Sequence, residues 1–114
     1  MKAEFEKTML IVSELLSYCH QRGAVDYHFD VKQASSETTF EIKASPATLS
    51  DEKYDLLKRK LNAPRQREIE QDFWHLSGDS ETTSELVLVG RMTDSANIDY
   101  DGETLHIVLK RKIE

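Results

Sequence analysis

A strict alternation of apolar and polar residues from Val25 to Lys32 constrains the fold of this chain more than any other feature. Every second side chain is apolar, and the side chains between them are polar: Val25, Tyr27, Phe29 and Val31 against Asp26, His28, Asp30 and Lys32. This two-residue period is typical of a β-strand with one buried face. A second strand, Thr38 to Lys43, follows a polar turn and predicts a β-hairpin.

The clearest pair of strands lies near the end of the chain. Segments Ser95–Tyr100 and Glu103–Lys112 flank Asp101-Gly102, a dipeptide that favours a two-residue type I′ turn. With that turn, apolar residues meet on one face of the hairpin, so the register agrees with the pattern. The expected cross-strand pairs are Ile98 with Leu105 and Ala96 with Ile107.

The first segment, Lys2 to Arg22, has the spacing of an amphipathic helix that ends at Gly23. One apolar stripe is expected to face the core, and it includes the single cysteine: Phe5, Met9, Val12, Leu16 and Cys19. A second apolar edge lies beside this stripe and is formed by Ile11, Leu15 and Tyr18. A helix that is apolar on two sides either lies deep in the core or contacts another chain.

Three more helices are expected between the hairpins. The first begins at a capping box, Thr48 to Asp51, and ends at Asn62. The second runs from about Pro64 to Leu76 and precedes a polar loop at Ser77–Thr83, and the third is the short apolar segment Glu85–Thr93. The order α-β-β-α-α-α-β-β predicts one α+β domain over residues 1–114. We expect a two-layer sandwich in which helices cover one face of an antiparallel or mixed sheet of about four strands.

Composition narrows the classes of function. The chain has 114 residues, of which 15 are basic and 21 acidic, giving a net charge of −6. This charge argues against nucleic acid and anionic lipid as partners, since both attract basic proteins. The apolar runs are too short to cross a bilayer, and the charged beginning of the chain lacks the apolar core of a signal peptide. We therefore expect a cytoplasmic protein.

Few residues suggest catalytic or metal chemistry. His28 could meet Asp26 and Asp30, or His106, on the polar face of the sheet, but the ligand spacing of a zinc site is missing, so we expect no metal. A thiol on the apolar stripe, Cys19, is expected to be inert. Two basic clusters are either solvated surface or a docking site for an acidic protein: Lys58-Arg59-Lys60 with Arg65 and Arg67, and Lys110-Arg111-Lys112.

The order of elements resembles a known ATP-binding domain. Helix, hairpin, helical insert, short apolar helix and final hairpin follow one another over Met9–Lys112. The most similar segment is Leu86–Asp94, read Leu-Val-Leu-Val-Gly-Arg-Met-Thr-Asp, together with the strand Thr104–Leu109. This order resembles the GHKL-type domain of histidine kinases, anti-sigma-factor kinases, Hsp90 and type II topoisomerases. The resemblance implies an ATP-binding site.

At the positions that the resemblance assigns to nucleotide binding, this sequence departs from the family. Glu14 matches the family's glutamate, but Tyr18 replaces the asparagine that binds magnesium, and hard cations prefer carboxylate, amide or water oxygens. Ala44 replaces the aspartate that reads adenine. Thr83 and Glu85 stand where the family has glycines, and Glu85 adds a negative charge where phosphate would bind.

The resemblance therefore implies a degenerate copy without magnesium–ATP chemistry or a cofactor. We expect a non-catalytic regulatory domain, not an enzyme, that binds a protein partner or itself as a homodimer. The expected partner-binding residues are Ile11, Leu15, Tyr18 and Trp74. A weak nucleotide or small-ligand binder is the alternative, using Glu14, Tyr18, Ala44, Thr83 and Glu85. An active kinase or hydrolase is disfavoured because no complete set of acid, base and phosphate-binding groups can be assembled.

Overall fold

The computed structural model describes residues 2–66 and 86–113 and has an α+β fold. Within these residues, helices flank and separate two pairs of strands. In chain order the elements are α1 (Lys2–Gln21), β1 (Asp26–Gln33), β2 (Glu37–Ser45), α2 (Asp51–Leu61), α3 (Leu86–Arg91), β3 (Ser95–Tyr100) and β4 (Leu105–Lys112). The expected helix Pro64–Leu76 lies largely outside the described residues, and so does the expected loop Ser77–Thr83.

The strands form one antiparallel sheet in the order β1-β2-β4-β3, as the alternating pattern predicts. Helices cover one face, so the two-layer arrangement is confirmed. The two central strands supply most of the buried side chains of that face: Phe40, Ile42 and Ala44 from β2, and Leu105, Ile107 and Leu109 from β4. The other face is polar, because successive residues of a strand point to opposite sides of the sheet.

Helix α1 buries a different side from the one that its stripe predicts. Ile11, Leu15 and Cys19 are at most 1% exposed, whereas Phe5 is 54% and Met9 49% exposed. The expected core stripe is therefore wrong at Phe5 and Met9, although Val12 and Leu16 are half-buried against the core. Both sides of the helix are apolar, so helical periodicity alone could not decide which one would meet the sheet.

The ends of the helices follow local chemistry. Gly23 has φ +95°, which confirms the left-handed conformation expected after α1. The cap of α2 is Ser50 rather than Thr48, since the Ser50 Oγ accepts the N–H of Lys53 at 3.2 Å. Asn62 ends α2, as expected, by donating its backbone N–H to the Lys58 carbonyl.

The register of the final hairpin differs from the expected one by two residues. Ile98 lies opposite Ile107, and Ala96 lies opposite Leu109. The connection is a four-residue loop, 101–104, in which the Asp101 Oδ1 accepts the backbone N–H groups of Glu103 and Thr104 at 2.9 and 2.7 Å. This side-chain cap stabilises the longer loop in place of the two-residue turn that Asp-Gly favours.

Candidate functional site

The residues that the resemblance assigns to nucleotide binding lie on α1 and on the inner face of the sheet. Ala44 is on β2 and is 1% exposed, so its methyl group belongs to the core. Glu14 and Tyr18 lie one turn apart on α1, and both are partly buried. Thr83 and Glu85 lie outside the described residues. The structure thus places three of the five residues, and one of these three is a core residue.

Tyr18 lies beside a positive charge. The guanidinium carbon of Arg22 is 5.5 Å from the centroid of the Tyr18 ring, a cation–π arrangement. Burial raises the pKa of the Tyr18 phenol, and the nearby Arg22 charge lowers it by less. The phenol therefore stays protonated at neutral pH, and the neighbouring guanidinium opposes binding of a divalent cation.

The expected partner-binding flank of α1 is not an exposed surface. Ile11 and Leu15 are 0% and 1% exposed, because they pack into the chain's own core. The expectation that they form an exposed docking surface is therefore wrong. Tyr18 is partly buried, and Trp74 lies outside the described residues.

The exposed apolar side of α1 lies next to β1. Two contacts fix this placement: Gln33 donates to the Thr8 Oγ1 at 3.4 Å, and the Tyr27 hydroxyl lies 3.5 Å from the His20 Nδ1. The helix and the strand therefore run in opposite directions along each other. We call the apolar side chains that these two neighbouring elements leave exposed or half-buried the α1–β1 flank: Phe5, Met9, Val12 and Leu16 of α1 with Phe29 and Val31 of β1.

The outer face of the sheet carries a polar cluster at its centre. His106 Nε2 and Glu41 Oε2 are 2.6 Å apart, and Glu41 lies opposite Asp30. A shallow groove of about 390 Å³ runs across this area. Its lining residues are His28, Phe29, Asp30, Glu41 and Lys43.

This cluster does not form a metal site within the described residues. No three histidine, cysteine, aspartate or glutamate side chains there come close enough together to hold an ion. His28 lies 3.9 Å from Asp26, and His106 pairs with Glu41 rather than with His28. His28 and His106 both lie on the outer face, as the strand pattern predicts, but each contacts a different carboxylate.

Some of the basic residues hold the fold together. The Arg65 Nη1 lies 2.7 Å from Asp94 and 3.0 Å from the carbonyl of Lys112. Lys58 lies over the ring of Tyr54 at 4.4 Å and 3.8 Å from Asp55. Arg65 and Lys58, two residues of the first basic cluster, are therefore paired with groups of the same chain.

Arg111 belongs to the second basic cluster but is a core residue. It is 2% exposed, and its Nε and Nη2 contact the two carboxylate oxygens of Glu4 at 2.7 and 3.1 Å. Its Nη1 donates to the Met92 carbonyl at 2.7 Å. In the sequence, Lys110-Arg111-Lys112 looks like a basic surface cluster. Successive residues of a strand point to opposite faces, however, so only the central residue of the three points inward.

Cys19 is a core residue, as its position on an apolar side of α1 predicts. Its side chain is fully buried, and burial raises the pKa of the thiol to about 11. The thiolate is the nucleophile in cysteine chemistry, so this site does not favour reaction.

Comparisons with known proteins give no family for this chain. No family model matches it, and neither a curated protein nor a solved structure shows detectable similarity. Helix α1, the longest helix of the described segments, is too polar to span a bilayer, and the shorter ones do not qualify either.

Proposed function

We propose that this chain is a non-catalytic protein-interaction domain with a regulatory role, built on a degenerate GHKL-type fold. The burial of Ala44 is the observation that carries the proposal. A methyl group that is 1% exposed in the core stands at the position assigned to the adenine-reading carboxylate. It cannot accept a hydrogen bond from an adenine amino group, and a carboxylate buried there without a partner would be costly.

The Tyr18–Arg22 pair supports the same proposal. The position assigned to the magnesium-binding asparagine has a protonated phenol, with a guanidinium above its ring. A magnesium ion there would lack a hard anionic or amide ligand and would be repelled by Arg22. Two positions of the nucleotide site that the resemblance implies thus oppose magnesium–ATP for separate reasons.

The α1–β1 flank supports the interaction half of the proposal. Phe5 and Met9 are about half exposed although each is large and apolar. Val12 and Leu16 lie on the same side of α1 and are half-buried, so they extend this surface along the helix. Contiguous exposed apolar surface is a feature of interaction sites, because its burial against a partner is favourable.

Calorimetric titration with ATP and magnesium tests the non-catalytic half. We expect no binding heat and no rise in melting temperature, since a ligand that binds the native state must stabilise it. Tyr18→Asn is the matched variant for the same titration, because this substitution restores the family's residue at one position and leaves Ala44 unchanged.

Micromolar affinity of the wild type for magnesium–ATP would overturn the proposal. It would favour the alternative, a weak nucleotide or small-ligand binder. That alternative draws on the Ser77–Thr83 loop, which lies outside the described residues.

A further inference from the structure

Strand β1 forms an edge of the sheet, and half of its backbone groups point away from β2. The Ala34 N–H donates to the Glu37 carbonyl at 2.9 Å, and Gln33 lies opposite Thr38 in the next pair. Bonded and non-bonded pairs alternate in an antiparallel ladder, so the even-numbered residues of β1 bond to β2. The odd-numbered residues direct their N–H and C=O groups outward: Tyr27, Phe29, Val31 and Gln33.

The opposite edge of the sheet is partly covered. The Tyr54 hydroxyl of α2 donates to the Ile98 carbonyl of β3 at 3.0 Å, and this carbonyl is one of the groups that β3 directs away from β4. Strand β3 is also shorter, with six residues against eight in β1. Along β1, by contrast, no group in the described parts of the chain bonds to the outward backbone atoms. An uncovered edge is a template for pairing with another strand.

The charges of β1 are self-complementary about its centre. If two copies of β1 run antiparallel with Phe29 opposite Phe29, Asp26 meets Lys32 and His28 meets Asp30 on the polar face, each pair occurring twice. Opposite charges placed across a strand pair stabilise it, and like charges destabilise it. All four positions are exposed, and their pairs within the strand are long: His28–Asp26 and Lys32–Asp30, each at 3.9 Å.

The same charges select one register. Shifting one copy by two residues would place Asp30 opposite Asp30 in one direction, and Asp26 opposite Asp30 in the other. A shift by a single residue would exchange the two faces of the strand. The register centred on Phe29 also pairs apolar groups on the inner face, where Tyr27 meets Val31.

The α1–β1 flank lies on this same inner side. A second copy paired along β1 would bring its own flank across the two-fold axis, toward the exposed side chains of Phe5 and Met9. Hydrogen bonding along the edge and burial of apolar surface would therefore act together. A two-fold interface of this kind uses the same surface on both partners.

We propose that this protein forms a homodimer in which β1 pairs antiparallel with β1 of a second copy, with the two-fold axis at Phe29. The pairing joins the two four-stranded sheets into one continuous sheet. This inference rests on the proposed function, in that the second copy is the protein partner.

A charge-reversal pair tests the inference by sedimentation velocity over a range of concentrations. Lys32→Asp places two carboxylates opposite each other twice in the dimer, so we expect its dimer dissociation constant to rise by about tenfold or more. The double variant Asp26→Lys with Lys32→Asp restores opposite charges and is expected to return the dissociation constant to near the wild-type value. Both positions are highly exposed, so we expect both variants to fold like the wild type.

Val31→Pro tests the backbone pairing directly. The Val31 N–H points away from β2, so proline removes an intermolecular donor and no bond within the chain. We expect a monomer, whereas the control Val31→Ala, which keeps the N–H, stays largely dimeric. If circular dichroism shows that Val31→Pro is unfolded, the charge-reversal pair alone decides the question.

A wild type that stays monomeric at several hundred micromolar would overturn the inference. A dimer that is unaffected by both Val31→Pro and Lys32→Asp would also overturn it, because the interface would then lie elsewhere. Neither result bears on ATP binding, and binding of ATP by the wild type would not contradict the dimer. Failure of this inference is therefore distinguishable from failure of the proposed function.

Discussion

Gly90 of α3 lies against the backbone of Lys60 at the end of α2. A Cβ atom added to Gly90 would lie only 2.1 Å from the Lys60 carbonyl oxygen, closer than any side chain can approach. The contact joins two helices at their backbones, so a flexible side chain cannot move away to relieve it. Gly90 therefore sets the distance between α2 and α3.

Gly90→Ala is expected to destabilise the protein by about 3 kcal/mol or more, because a helix must shift to admit one methyl group. Gly23→Ala is the matched control: it has positive φ but nothing within 4 Å of its added Cβ. We expect about 1 kcal/mol for that change, from backbone conformation alone. Urea denaturation of both variants measures the difference, and equal costs would contradict the close approach of the helices.

The buried ion pair between Arg111 and Glu4 ties the first turn of α1 to the last residues of β4. Either Arg111→Met or Glu4→Gln is expected to cost about 3–5 kcal/mol, since each removes one member of a largely buried, hydrogen-bonded ion pair. Combining the two should cost less than their sum. Lys110→Met, an exposed change on the same strand, is the control and should be close to neutral. An additive double mutant, measured by chemical denaturation, would argue against a coupled pair.

The Cys19 thiol should resist alkylation in the folded protein. It is fully buried, and its pKa of about 11 leaves little thiolate at pH 7.5. We expect rapid labelling by a thiol reagent only in denaturant, measured by mass spectrometry or absorbance. Labelling of the native protein at the rate of the denatured chain would contradict the placement of α1 in the core.

Asp101 should give the protein a pH dependence in acid. Hydrogen bonds from the Thr104 and Glu103 backbone N–H groups hold the pKa of this carboxyl below its ordinary value of 3.8. The native state then binds this proton less readily than the unfolded state does. The stabilisation is therefore present above about pH 4 and is lost as the pH falls through the lowered pKa.

Asp101→Ala should flatten this part of the stability curve, as measured by thermal melts between pH 5 and pH 2. Asn97→Ala, an exposed change on β3 that removes no titratable group, is the control and should keep the wild-type slope there. If the two variants lose the same pH dependence, the loop hydrogen bonds are not its cause.

Local pattern was sufficient for the strands and for the class of fold. The period of two from Val25 to Lys32 and the apolar positions of β4 define a one-sided sheet, because strand geometry sends successive side chains to opposite faces. The positions of Gly23 and Asn62 at the ends of helices also follow from local backbone chemistry. Arg111 could have been found by the same alternation, since it continues the inward series Leu105, Ile107, Leu109.

The pattern of apolar residues is enough to predict that α1 is a helix with two apolar sides and that four strands form a sheet with one apolar face. It does not predict that Ile11 and Leu15 lie in the core while Phe5 and Met9 stay exposed, which depends on how the elements pack. Both sides of α1 have similar apolar content, so the choice depends on which side fits the sheet and α3. The hairpin register was likewise decided by hydrogen bonds from the loop to Asp101, which a preference for the Asp-Gly dipeptide does not include. The self-complementary charges of β1 can be recognised in the sequence. That β1 lies at an edge of the sheet, where these charges can meet a second copy, follows only from the order of the strands.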